Sequence, residues 1–141
     1  MITAVDTPVL LDVLIPGAPH AVDSERRLAE ALTAGPLVVC PIVVAELGAC
    51  FPREEELKAF LRDTGLRVDP FAFASLYLAG RAWREHGRRE GESRRRAVPE
   101  EGRGVGGAFL VGAHAMVQAE QLLTRDPGFY RTYFPDLRLS A

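Results

Sequence analysis

Short β-branched runs alternate with longer amphipathic segments along the chain, and this alternation is what most constrains the fold. Strands are predicted at residues 2–6, 37–40, 66–69 and 121–124. Helices are predicted at residues 21–34, 54–64, 70–86, 109–120 and 127–134, in the segment after Pro41, and, as a turn or helix, in the apolar run 9–14. Because strand–helix–strand order is typical of parallel sheets, we predict an α/β fold with a central, mainly parallel sheet of four or five strands.

Size and composition fit one soluble domain covering residues 1–141. A net charge of −2 gives no overall basic signature of a nucleic-acid-binding module, but it is compatible with an enzyme that has a local basic patch. The N-terminus lacks the basic region of a signal peptide, and no apolar run approaches the roughly 20 residues that span a bilayer. We therefore expect a cytoplasmic protein with no membrane partner.

Three acidic residues lie where apolar segments end or turn, and they are Asp6, Glu46 and Asp126. Ligands of parallel sheets bind outside the carboxyl ends of the strands, so these acids can converge despite their separation in sequence. Converging carboxylates repel one another unless a cation lies between them, and Mg²⁺ or Mn²⁺ is the usual occupant of an all-oxygen site. This pattern predicts metal-assisted chemistry on a phosphodiester.

Each of these residues also has a purely structural interpretation. Asp6 and Asp126 could cap a helix or form a turn, and Glu46 could form a buried salt bridge with an arginine. Thr7 and Thr124 are candidates to donate hydrogen bonds to the carboxylates or to a phosphate. Capping and solvent-facing roles for these two threonines are equally compatible with the sequence.

Five other residues have sequence contexts that favour structural roles. Asp12, which follows Asp6 by a turn or two of helix, is interpreted as a surface acid. His114 lies on an apolar helix and is interpreted as a packed or capping histidine, since a metal can generate the nucleophile without a general base. The spacing of Tyr130, Tyr133 and Phe134 predicts an aromatic patch that faces the core.

Residues 81–103 contain eight arginines and five glutamates. Such a charged segment is usually a solvated face. Beside an acidic metal site it could also hold an RNA backbone, because arginine–phosphate contacts give affinity without reading the base sequence. Arg94, Arg95 and Arg96 are therefore candidate RNA-binding residues.

Four segments resemble those of PIN domains, in the order and spacing of that family, and together they cover essentially the whole chain. They are Val5-Asp-Thr-Pro-Val-Leu-Leu-Asp12, Val43-Val-Ala-Glu-Leu47, Phe109-Leu-Val-Gly-Ala-His-Ala115, and the segment from Leu122 to Leu137. The last segment is the most specific, and it is similar to the closing half of bacterial VapC-type toxins.

The resemblance implies a three-layer α/β/α sandwich and a metal-dependent endoribonuclease, typically the toxin of a type II toxin–antitoxin pair. Asp6, Glu46 and Asp126 match the family's catalytic acids, which would hold Mg²⁺ or Mn²⁺. The expected partners are RNA, a small antitoxin protein and a second copy of the chain. The apolar stripes of helices 21–34 and 54–64 would either pack in the homodimer or form the groove for an antitoxin helix.

The chain departs from the family at Ala108, where an acid normally precedes the segment that begins at Phe109. Pro8 likewise stands where an asparagine is common. Loss of one carboxylate weakens metal affinity, although water can replace a missing ligand on Mg²⁺. Ala108 is compatible with a naturally impaired enzyme or with an acid removed to silence a toxic one. The second hypothesis is therefore a catalytically inactive PIN-like module that binds RNA or a partner protein.

Overall fold

The structure, a computed structural model, describes residues 1–89 and 105–140. Within these residues, short strands alternate with helices as the sequence predicts. The elements are β1 (Thr3–Val5), α1 (Thr7–Leu14), α2 (Ala21–Ala34), β2 (Leu37–Val39), α3 (Pro41–Gly48), α4 (Glu54–Asp63), β3 (Leu66–Val68), α5 (Phe73–Arg89), α6 (Gly107–Gln118), β4 (Gln121–Leu123), α7 (Pro127–Tyr133) and β5 (Leu139–Ser140).

The strands form one five-stranded sheet in the order β3-β2-β1-β4-β5, and every neighbouring pair is parallel. This confirms the predicted α/β fold. Strand β1 lies at the centre, where Thr3 is in register with Leu37 of β2 and with Gln121 of β4. All residues of β1 and β2 are buried, as expected for strands covered on both faces.

The strand order places a topological switch point between β1 and β4. From β1 the chain moves through β2 to β3 in one direction, and it then crosses back to β4 and β5 on the other side. Because parallel crossovers are right-handed, helices α1–α4 and helices α5–α7 lie on opposite faces of the sheet. The crevice at such a switch point, outside the carboxyl ends of the strands, is where α/β proteins bind ligands.

Helix boundaries follow local signals that the sequence carries. Helix α2 has the predicted bounds. Helix α1 begins at Thr7, before the predicted apolar run, because Asp6 caps its N-terminus and Pro8 suits its first turn. Helix α5 begins at Phe73, three residues after the predicted start at Pro70. The candidates Arg94, Arg95 and Arg96 lie outside the residues that the structure describes.

The core lies between the sheet and both helical layers. Val9 and Leu10 of α1, Val43 and Leu47 of α3, and Ala113 of α6 are completely buried against it. Tyr130 and Phe134 are buried and Tyr133 is partly buried, so the predicted aromatic patch does face the core. In the part of the chain that is described, no helix has the length and apolar character needed to cross a membrane.

Candidate active site

A cleft of about 570 Å³ opens at the switch point of the sheet. The three acids predicted from the sequence all line it, although each follows or lies in a different element. The lining residues are Asp6, Thr7, Pro8, Leu11, Glu46, Ala49, Cys50, Ala108, Val111, Asp126 and Tyr130.

Asp6 follows the central strand β1 and is the most buried of the three acids, with 7% of its surface exposed. Its Oδ1 accepts a 2.9 Å hydrogen bond from the backbone N–H of Thr7, which caps α1. Its Oδ2 accepts a 2.8 Å hydrogen bond from the hydroxyl of Thr124, which follows β4. The Asp6 carboxylate is therefore held by residues that follow each of the two strands beside the switch point, β1 and β4.

Burial raises the pKa of the Asp6 carboxyl above its ordinary value. The hydrogen bonds from Thr124, Thr7 and Tyr130 oppose this rise in pKa, because they stabilise the carboxylate form. The negative charge of Glu46 adds to the rise. The cleft is therefore an environment in which a positive charge would relieve an electrostatic cost.

Glu46 lies on α3 and is exposed, so the interpretation as a buried salt bridge is wrong. Its Oε1 accepts a 2.5 Å hydrogen bond from the hydroxyl of Thr7. The N-terminus of α6 is also close, since a Cβ added at Gly107 would lie 3.6 Å from Oε2 of Glu46. The backbone N–H groups at this helix end favour negative charge beside them.

Asp126 caps the N-terminus of α7, with Oδ1 3.5 Å from the backbone nitrogen of Phe129. Its own backbone N–H donates a 3.0 Å hydrogen bond to the hydroxyl oxygen of Thr124. The capping role and a place in the cleft thus coexist in one residue. Thr124 connects the two aspartates, because it donates to Asp6 and accepts from the backbone of Asp126.

The three side chains offer the carboxylate oxygens that Mg²⁺ and Mn²⁺ prefer. In residues 1–89 and 105–140, however, no group of three or more Asp, Glu, His or Cys side chains is arranged so as to hold a metal ion. Both carboxylate oxygens of Asp6 accept hydrogen bonds from neighbouring residues. The chemistry and charge of the donor set fit a divalent cation, and binding it would require these side chains to turn toward the ion.

Ala108, the position at which the resemblance described above implies an acid, also lines this cleft. It is exposed and lies in the first turn of α6, next to Gly107 and therefore near Glu46. A carboxylate at position 108 would start from the same wall of the cleft as Glu46. Ala108 itself contributes no charge to the cleft.

Tyr130 lines the cleft as well, which its spacing in the sequence did not predict. Its ring belongs to the predicted core patch, with its centroid 5.0 Å from that of Phe129. Its hydroxyl, however, interacts with the Asp6 carboxylate, and this interaction lowers the pKa of Asp6. Burial raises the pKa of this phenol, and the charge of Asp6 adds to the effect, so the phenol keeps its proton. The spacing of aromatic residues could predict the buried ring but gave no signal for the hydroxyl.

Asp12 is not a surface acid, and that prediction is wrong. Only 5% of its surface is exposed. The hydroxyl of Ser24 donates a 2.6 Å hydrogen bond to its Oδ2, and Nη2 of Arg125 donates a 3.0 Å hydrogen bond to its Oδ1. A carboxylate at this depth requires such partners, and they come from α2 and from the segment after β4.

His114 is buried inside α6, and its Nε2 lies 2.8 Å from Oδ2 of Asp69. Asp69 follows β3, and it also accepts a 3.2 Å hydrogen bond from the side-chain amide of Gln118. This contact agrees with the interpretation of His114 as a packed histidine.

Comparisons with known proteins agree with this fold. The sequence model of the PIN domain matches residues 3–135. The structure is similar to the crystal structure of VapBC2 from Rickettsia felis bound to a DNA fragment from their promoter, with 18% identity, a TM-score of 0.65, and coverage of 99% of this chain and 98% of that chain. It is also similar to VapBC-1 from nontypeable Haemophilus influenzae, with 18% identity, a TM-score of 0.66, and coverage of 99% and 97%. No curated protein sequence matches the chain significantly.

Proposed function

The chain belongs to the PIN domain family, and on that premise we propose that it is a metal-dependent endoribonuclease, the toxin of a type II toxin–antitoxin pair. The observation that carries this proposal is the convergence of Asp6, Glu46 and Asp126 on one cleft at the switch point of the sheet. A cluster of carboxylates around a cleft is the arrangement that metal-assisted phosphodiester hydrolysis needs.

In this proposal, Asp6, Glu46 and Asp126 hold Mg²⁺ or Mn²⁺. The bound ion supplies Lewis-acid chemistry, which activates water and stabilises charge on the phosphate and on the leaving oxygen. Thr7 holds Glu46 and Thr124 holds Asp6 through the hydrogen bonds described above. Such partners orient ligating carboxylates and keep them ionised.

RNA is the proposed substrate. Arg81, Arg84 and Arg88 are exposed on α5, and they continue the arginine-rich segment that includes Arg94, Arg95 and Arg96. Trp83 of α5 lies 3.7 Å from a Cβ added at Gly106, so the arginine-bearing half of α5 is near the start of α6 and thus near the cleft. Guanidinium groups there would contact phosphates and hold the backbone without reading its sequence.

A small antitoxin and a second copy of the chain are the proposed protein partners. The two similar structures are VapBC complexes, and their identity of 18% carries the likeness of fold alone. Large apolar side chains remain exposed on α2, at Val22 and Leu32, and on α5, at Phe73, Leu76 and Tyr77. Exposed apolar surface of this kind is typical of protein contacts. The proposed location is the cytoplasm, as expected from the sequence.

Ala108 supports a second candidate function, a PIN module that binds RNA or a partner without cleaving RNA. The cleft of this chain lacks the acid that the family has at this position, and its three carboxylates are not gathered around one point. A cation is then attracted less strongly. The two candidates differ in one measurable property, which is metal-dependent cleavage.

The test is an RNA cleavage assay with Mn²⁺ and with a chelator, on the native chain, on Asp6→Asn, and on Asp136→Asn as a control. Asp136 is an exposed acid beyond α7 and is not among the residues that line the cleft. The ribonuclease proposal expects Mn²⁺-dependent cleavage by the native chain and the control, and its loss in Asp6→Asn. RNA binding without cleavage in all three proteins would favour the second candidate, and cleavage by Asp6→Asn at the native rate would refute the proposed site.

A further inference from the structure

Arg125 lies between Thr124 and Asp126, which connect strand β4 to the cleft. Its predecessor Thr124 donates a hydrogen bond to Asp6, and its successor Asp126 lines the cleft and caps α7. Arg125 itself extends to Asp12 near the end of α1, with Nη2 3.0 Å from Oδ1 and Nε 2.7 Å from Oδ2. This is the two-pronged guanidinium–carboxylate geometry, which fixes orientation as well as distance.

Asp12 is itself held in place by burial and by a second hydrogen bond. Its side chain is 7% exposed, and the hydroxyl of Ser24 in α2 donates a further 2.6 Å hydrogen bond to Oδ2. In the described structure both oxygens of Asp12 therefore have partners. The side chain of Arg125 is 34% exposed, but because Asp12 is buried, solvent screens this ion pair less than the pair of Lys58 and Glu54 on α4, in which both side chains are exposed.

Two side-chain contacts therefore join α1 to the segment 124–126, one at each end of the helix. At its N-terminus, Asp6 accepts the hydrogen bond from Thr124. Near its C-terminus, Asp12 holds Arg125, which is 113 positions away in sequence. These two contacts limit the rotation of the segment 124–126, and they therefore fix the direction of the Asp126 side chain relative to Asp6.

We propose that Asp12 and Arg125 are positioning residues, which hold the segment 124–126 so that Asp126 keeps a fixed position relative to Asp6 in the cleft. This inference rests on the proposed metal-dependent function for its consequence in metal binding, but its structural part stands without it. The pair would act as the outer partners of a metal site act, since such partners orient the ligands without touching the ion.

The chain offers a matched control for this proposal. Ser24→Ala removes the contact of α2 with Asp12 and leaves both contacts of the Arg125 guanidinium with Asp12 intact. Arg125→Lys keeps the positive charge but removes the paired guanidinium contacts. Asp12→Asn keeps the size of the side chain and removes its charge. If the pair only attached α2 to the rest of the domain, Ser24→Ala would have the same effects as Arg125→Lys.

The first measurement needs no metal. Hydrogen exchange of the Asp126 backbone N–H, which is bonded to Thr124, is followed by NMR in the metal-free proteins, with thermal melting to show that each is folded. We expect several-fold faster exchange at Asp126 in Arg125→Lys and in Asp12→Asn, and native exchange there in Ser24→Ala. Native exchange at Asp126 in Arg125→Lys would overturn the proposal.

The second measurement is Mn²⁺ affinity by calorimetry. We expect a loss of about tenfold in Arg125→Lys, which is the size typical for outer partners of a metal site, and less than about twofold in Ser24→Ala. Equal losses in the two variants would overturn the positioning role. If the native chain binds no Mn²⁺, the proposed function fails while the exchange experiment still decides whether the pair orients the segment.

Discussion

The hydroxyl of Thr124 donates a 2.8 Å hydrogen bond to Oδ2 of Asp6, although the two residues are 118 positions apart in sequence. The contact is buried, and it crosses the boundary between the central strand β1 and its neighbour β4. It brings the first and the last of the three candidate site acids into one network, because Thr124 also accepts a hydrogen bond from the backbone N–H of Asp126.

Replacement of Thr124 by valine tests this network. The substitution keeps the shape of the side chain and removes the hydrogen bond that Thr124 donates to the Asp6 carboxylate. A hydrogen bond to a charged group contributes about 1.5–3 kcal/mol to the free energy of unfolding. The pKa of Asp6 should rise further, since that bond lowers it. We expect Mn²⁺ affinity at pH 7 to fall about tenfold, as measured by calorimetry. The control is Thr132→Val, because Thr132 is an exposed residue of α7. Equal Mn²⁺ affinities in the two variants would contradict the role of Thr124.

The raised pKa of Asp6 predicts how the stability of the metal-free protein depends on pH. The folded state binds a proton at Asp6 more tightly than the unfolded state, so the contribution of this group to stability is present below pH 3.8 and is lost as pH rises through the folded pKa. Asp6→Asn removes this loss. In chelator, the melting temperature of Asp6→Asn relative to the native chain should therefore increase as pH rises above 3.8 and then become constant. A difference that does not vary with pH would contradict the raised pKa.

Ala108→Asp should restore the missing acid of the cleft. The new carboxylate lies at the N-terminus of α6, where negative charge is favoured, and it adds an oxygen ligand near Glu46. We expect Mn²⁺ affinity to rise by at least about tenfold, equivalent to about 1.4 kcal/mol, together with faster RNA cleavage and toxicity when the variant is expressed without a partner.

The control for this substitution is Ala29→Asp, which adds the same charge at an exposed position of α2. It should leave Mn²⁺ affinity and cleavage at native values. If Ala108→Asp behaves like Ala29→Asp in both measurements, position 108 does not face the metal, and the family motif is wrongly aligned there.

Gly112 has a packing role that predicts a large loss of stability on substitution. A Cβ at this position would lie 2.7 Å from Cδ2 of the buried Phe134, which is too close without a shift of α6 or of the ring. Gly112→Ala should destabilise the fold by about 1–3 kcal/mol, as overpacking does. Gly80→Ala, in α5 with no atom within 4 Å of the new Cβ, should instead stabilise it by about 0.5–1 kcal/mol. Urea denaturation measures both changes, and a similar effect of the two substitutions would contradict the described contact.

The exposed apolar side chains of α5 predict self-association. Light scattering at micromolar concentration should give about twice the chain mass of 15.4 kDa. Tyr77→Arg places a charge on the most apolar exposed part of α5, next to Phe73 and Leu76, and it should lower the mass toward that of one chain. A native chain that is monomeric over this range would refute the dimer, and a dimer unaffected by Tyr77→Arg would place the interface elsewhere.

The fold was predictable because its signals are local. The capping residue before Pro127 and the glycine–proline pair after α2 mark ends of elements, and the alternation of apolar runs indicates a parallel sheet. The convergence of Asp6 and Asp126 followed from the general rule that ligands bind at the carboxyl ends of such strands.

What the sequence did not predict depends on contacts between distant residues. The position of Asp12 in the sequence suits a solvent-facing acid, and its burial is explained only by its contacts with Arg125 and Ser24. Glu46 has apolar neighbours in sequence, yet the side chain is exposed at the mouth of the cleft because α3 turns that face away from the core. Periodicity reports which face of an element is buried, but it does not identify the partner across the domain.

The central position of β1 has a consequence for the chain during its own synthesis. Strand β1 is synthesised before its neighbour β4 and before Thr124 and Asp126, with more than one hundred residues between them. A nascent chain that stops before residue 121 has one side of the central strand unpaired and lacks one of the three acids. The proposed active site can therefore form only after residue 126 has been synthesised, so the order of the elements along the chain delays the proposed activity during translation.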